Sequence, residues 1–141
     1  MIDQLRKHRQ KMLVISIGIV YLWFGALKLF PGMSPAEELA KETLAKLCFG
    51  LMPANITFCA LALWEITIGL FLILNFPKKL IVYSAMVHLL FTFTPLFLLP
   101  DASFTNVPYS LTLVGQYIIK NLIIFSALLF ILPKKNIKPV S

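Results

Sequence analysis

The sequence predicts an all-α integral membrane protein: a four-helix up-down bundle with a short extracytoplasmic amphipathic helix. Three observations predict it. Of 141 residues, 59% are hydrophobic and 13% charged, far from the balance of a soluble domain. The apolar residues fall into four blocks, each close to the ~20 residues that a bilayer crossing needs. Basic residues gather beside these blocks, as membrane flanks do, and this distribution explains the net charge of +7 without nucleic-acid binding. One domain is the natural count for this length.

The first block, residues 12–30, follows a polar start with Arg6, Lys7, Arg9 and Lys11. It is longer than the core of a signal peptide and no small-residue cleavage site follows, so it reads as a transmembrane helix. Gly18, Tyr21, Gly25 and Lys28 share one of its faces, and small residues there let a neighbouring helix approach closely. Lys28 reads equally as a snorkelling lysine and as a site residue. Pro31-Gly32 ends the helix. Ser34-Pro35-Ala36-Glu37 then has the form of a capping box opening an amphipathic helix over about 35–49, on the outer membrane surface or on the bundle, ended by Gly50.

Pro53 opens the second span, 54–76, with Glu65 near its centre. Pro77-Lys78-Lys79 makes a basic turn. In the third span, 80–99, Ser84, His88 and Thr92 share a face. Pro95 cannot donate to the carbonyl of Phe91, so a kink is expected there. A polar loop over 100–108 precedes the fourth span, 110–132, and a basic tail follows with Lys134, Lys135 and Lys138. The loop that follows the first span balances Lys41 and Lys46 against three glutamates, and the 100–108 loop has no lysine or arginine. The positive-inside rule therefore puts both termini in the cytoplasm of a bacterial plasma (inner) membrane.

Lys120 is the most informative residue of the fourth span. A lysine at bilayer centre costs roughly 2.5–3.5 kcal/mol on insertion scales, so it is expected to face protein or water. Glu65, His88 and Lys120 all fall around 15 Å from the outer boundary at 1.5 Å of rise per residue. Convergence would let Glu65 and Lys120 stay charged, with His88 exchanging protons near neutral pH. These three are the candidate catalytic residues. Lys28, Trp64, Thr92, Gln116, Tyr117 and Asn121 are the candidate ligand-binding residues around them. A buried Glu–Lys pair that only fixes helix register is the competing reading. One intramembrane His and one Glu make a poor metal set, so no metal is expected. Cys48 and Cys59 form no Cys-x-x-Cys pair, and Cys59 is expected to pack.

Four stretches carry a family resemblance: Trp23-Phe24-Gly25-Ala26-Leu27-Lys28, Trp64-Glu65-Ile66-Thr67-Ile68-Gly69, His88, and Gly115-Gln116-Tyr117-Ile118-Ile119-Lys120-Asn121. In this order, across four apolar blocks, the chain resembles the DoxX-like family of small four-helix membrane proteins. The resemblance implies a bundle and quinone-linked membrane redox chemistry. No flavin, haem or iron–sulfur signature appears, so the electrons of such a system would be carried by a quinone or a partner. The expected function is thus a quinone- or small-lipophile-binding component of a membrane redox system, an oxidoreductase subunit being one form of it. The alternatives are a non-enzymatic membrane subunit that binds a partner protein or its own copies, and a small transporter or proton pathway.

Overall fold

A computed structural model describes residues 1–76 and 79–132. The expected basic turn at Lys78 and the basic tail at Lys134, Lys135 and Lys138 lie outside the described residues. Of the described residues, 75% are helical. Its elements are α1 (Ile2–Leu27), α2 (Glu37–Leu47), α3 (Ala54–Ile73), α4 (Lys79–Thr92), α5 (Pro95–Leu98), α6 (Pro100–Ser103), β1 (Phe104–Asn106), β2 (Ser110–Leu111) and α7 (Leu113–Ile131). Gln4–Leu27, Ala54–Ile73, Lys79–Leu98 and Leu113–Ile131 are long and apolar enough to cross a membrane.

α1 begins at Ile2 rather than at residue 12. The basic start is rich in Gln, Leu, Arg and Lys, all good helix formers, so the helix runs through it. α3 stops at Ile73, short of residue 76, because Asn75 takes the left-handed conformation at φ 54°. Phe76 then donates its N–H to the Phe71 carbonyl at 3.1 Å, a Schellman-type close. α2 ends in the same way, with Phe49 at φ 53° and Gly50 N–H donating to the Ala45 carbonyl at 2.9 Å. The left-handed residue that first leaves the helix is thus Phe49, with Gly50 next to it.

Pro95 breaks the third span as expected. α4 ends at Thr92 and the freed Phe91 carbonyl accepts from both the N–H (3.1 Å) and the hydroxyl (2.7 Å) of Thr94. The 100–108 stretch, expected as a loop, holds α6 and the first strand of an antiparallel hairpin in which Phe104 pairs with Leu111 and Asn106 with Ser110. Thr112 caps α7 by accepting from Gly115 N–H at 3.1 Å. The expected capping box of α2 does not form. Glu37 instead accepts from Lys41 (2.7 Å) and reaches back to Gly32 N–H (2.8 Å), contacts that hold its carboxyl below the usual carboxylate range.

The bundle is tightest between α1 and α3, which run antiparallel. A Cβ added to Gly69 would lie 2.5 Å from the Leu22 nitrogen and 2.8 Å from the Gly18 carbonyl oxygen. Only glycine allows this approach. The core is built on it: Val14, Ile17 and Tyr21 from α1, Ile68 and Leu72 from α3, Val82, Ala85 and Leu89 from α4, and Leu128 from α7. α2 lies on the bundle against α3 and α5. Its Lys41 ammonium stands 5.4 Å from the Phe58 ring centroid and its Lys46 donates to the Leu98 carbonyl at 3.1 Å.

A buried charge cluster between three helices

The site is set by the α1–α3 crossing. An added Cβ on Gly25 would lie 2.9 Å from the Glu65 Cβ, so the end of α1 passes directly over Glu65. Lys28, one turn further on, then turns its side chain back into the bundle. Its Nζ donates to Glu65 Oε2 at 2.5 Å and touches the Phe24 carbonyl at 3.4 Å. The other carboxylate oxygen, Oε1, is 3.0 Å from His88 Nε2, a close contact rather than a well-aligned hydrogen bond. His88 Nδ1 is 3.2 Å from the Tyr21 hydroxyl, which donates to the Ala85 carbonyl at 3.0 Å. A continuous polar chain therefore runs Lys28–Glu65–His88–Tyr21. Glu65, His88 and Tyr21 are 6%, 3% and 5% exposed, which puts the chain away from bulk solvent.

Aromatic rings hold the imidazole. Trp64 and Tyr21 each meet His88 edge-to-face, with centroids 5.3 Å apart in both pairs, a favoured geometry for aromatic contacts. Trp64 is itself fixed by donating from Nε1 to the Ser84 hydroxyl at 2.8 Å.

The expected convergence is thus met by Glu65 and His88 with Lys28, not with Lys120. Lys120 is exposed on the far side of α7, with its ammonium 5.4 Å from the Tyr117 ring centroid. Helix geometry turns Lys120 outward. The inward stripe of α7 is Gly115, Ile118 and Leu128, and Lys120 stands about 200° round the helix from Ile118. Gln116 and Tyr117 share that outward side and are exposed. Thr92 and Asn121 face each other instead, Asn121 donating to the Thr92 hydroxyl at 3.2 Å. Of the ligand-binding candidates, Lys28 and Trp64 stand at the cluster. Tyr21 and Ser84 belong to it as well; Tyr21 already shares the Gly18–Gly25–Lys28 face in the sequence. Both cysteines are free thiols, and the described residues hold no group of three His, Cys, Asp or Glu side chains that could bind a metal.

The chain matches no protein-family model, no curated protein and no solved structure.

Proposed function

We propose that this is a multi-pass protein of a bacterial plasma membrane, both termini cytoplasmic, and that the Lys28–Glu65–His88–Tyr21 cluster handles protons for a small lipophilic redox carrier of the quinone class. The observation that carries the reading is a part-buried lysine in one contiguous chain with a buried glutamate and a buried histidine, among four apolar helices. Ionisable residues are costly in such a place and function is the usual reason for them. The donor set suits quinone carbonyl oxygens, which accept hydrogen bonds: Lys28 supplies an ammonium and His88 ring nitrogens that donate or accept according to tautomer. A bound quinone would carry the electrons. Lys28 would steady charge gained on its oxygens, strongly so in a medium of low dielectric constant. Glu65 would orient His88 and compensate its charge when protonated. Kinship with the DoxX-like family belongs to the same proposal, since Lys28, Trp64, Glu65 and His88 all stand among the residues that carry that resemblance.

The test is titration of the protein in lipid nanodiscs with a short-chain ubiquinone or menaquinone analogue. Wild type should bind saturably, Lys28→Met about tenfold more weakly, and Lys120→Met as wild type does. Lys28→Arg, which keeps the charge, should restore part of the affinity. Absence of saturable binding by wild type, or equal binding by Lys28→Met, would end the quinone reading.

A second reading is favoured by how the cluster joins α1, α3 and α4. Lys28 holds Glu65, Glu65 stands against His88, and the Tyr21 hydroxyl donates to the Ala85 carbonyl. Such a cluster also serves to fix helix order and register in a non-enzymatic membrane subunit.

A further inference from the structure

α7 is the least enclosed of the four apolar spans. Only 17% of its window is buried, against 39% for α3. Its outward stripe, Leu113, Gln116, Tyr117, Lys120, Ile123 and Phe130, is exposed along the whole length of the helix. In a bilayer, Lys120 lies about 10 Å below the start of α7 at Leu113. Among the described residues no carboxylate pairs with it, and the Tyr117 ring is the group its ammonium meets. A cation at that depth, beside Gln116 on the same stripe, is a poor match for acyl chains and a good one for an acidic side chain.

The chain cannot provide that acid to another copy of itself. It has six acidic residues. Glu65 is buried and held by Lys28 and His88. Glu37, Glu38 and Glu42 are on α2, Asp101 is on α6, and Asp3 is at the opposite end of α1. None stands on an exposed face at the level of Lys120. Two copies joined through α7 would bring lysine to lysine, which opposes a homodimer on this face.

We propose that the outward stripe of α7 is the docking surface for a transmembrane helix of a different protein, one that carries an Asp or Glu about seven residues below its own outer end. The inference rests on the membrane-spanning reading of α7 and is independent of the quinone reading. An intramembrane lysine–carboxylate pair would satisfy both charges, while Tyr117, Ile123 and Phe130 supply apolar contact above and below it.

The experiment uses the full chain reconstituted in phosphatidylcholine vesicles, with flotation first establishing insertion. The probe is a leucine–alanine host helix of about 22 residues that carries one Glu about seven residues from its outer end. Association is read by resonance energy transfer between labels on the two. Wild type should bind this helix about tenfold more tightly than a host with Leu at that place, a gain of the size expected for a polar pair between membrane helices. The gain should vanish in Lys120→Met and when the Glu is moved to the far end of the host. Lys120→Glu should prefer a host carrying Lys. Because Lys120 is exposed, both variants should keep the wild-type unfolding temperature; a large drop would show that Lys120 serves the fold and overturn the proposal. Equal binding of the Glu and Leu hosts, or a gain that persists in Lys120→Met, would overturn it too. So would a gain indifferent to the depth of the Glu, which would place the Lys120 ammonium among lipid headgroups. Failure of the protein to insert would remove the membrane reading and this proposal together, whereas a negative quinone titration would leave it standing.

Discussion

A carboxylate among apolar helices keeps its charge only where partners meet its oxygens, and Glu65 is met by Lys28 on one side and His88 on the other. Removing one member leaves an uncompensated charge, which costs on the order of 3–5 kcal/mol when the pair is buried. Glu65→Gln and Lys28→Met should each lower stability by about that much, and the double variant should recover most of the loss. Reversible unfolding in mixed detergent micelles measures the cycle. Strictly additive losses would mean that the two side chains do not interact. Lys120→Met combined with Glu65→Gln should be additive, because Lys120 is exposed and its ammonium stands over Tyr117, while Glu65 is met by Lys28 and His88. The sequence made the depth of Glu65 and His88 legible, because residue counts along a helix convert directly into height. It left the choice of lysine open. Gln116 and Lys120 mark one side of α7, but nothing in the sequence says whether that side faces the bundle or away from it, whereas Lys28 lies on a stripe with Gly18, Tyr21 and Gly25 that does mark a contact face.

The α1–α3 pair shows how two glycines place a whole helix. Gly69 lets the backbone of α1 come close enough for Lys28 to reach Glu65. Gly69→Ala would drive a methyl into the Leu22 nitrogen and the Gly18 carbonyl, backbone atoms that cannot swing aside, and should cost roughly 1–3 kcal/mol. It should also weaken the Lys28–Glu65 coupling in the cycle above. Gly32 is the control: it sits at φ 75° with open space around it, so Gly32→Ala should cost about 1 kcal/mol in backbone strain and leave the coupling intact. Thermal unfolding of both variants in detergent, with and without Lys28→Met, separates the two effects. At this scale, the existence and order of the spans were legible from block length, and the proline break from a missing N–H. The ends were not. Charged residues before the first apolar block are good helix formers and so hide the start of α1, while the stop at Phe49 rests on left-handed backbone that a phenylalanine seldom advertises. The β1–β2 hairpin was hidden for another reason: its strands are three and two residues long, too short for an alternating pattern to show.

For the molecule as a whole, four candidate spans bring the start of α1 and the end of α7 to the same side of the bundle, with α2 and the β1–β2 hairpin at the other. The charges follow this division. Arg6, Lys7, Arg9 and Lys11 lie on the first turns of α1, while α2 pairs its own lysines internally, Lys41 with Glu37 and Lys46 with Glu42. Orientation follows the bias in Lys and Arg number beside the spans, and four basic residues at the start of α1 outnumber the two of α2. The expected orientation therefore has His8 inside and Glu38 outside, and both positions are exposed. Cysteines placed singly at these two sites, in a background of Cys48→Ser and Cys59→Ala, report it through a membrane-impermeant maleimide. In intact spheroplasts Glu38→Cys should label fully and His8→Cys only after the membrane is permeabilised. The reverse pattern would invert the bundle, and would put the outward stripe of α7 in register with cytoplasmic rather than external partners. Labelling of both sites without permeabilisation would mean that the four helices do not cross the membrane, and the cost assigned to Glu65, His88 and Lys120 at bilayer depth would no longer apply.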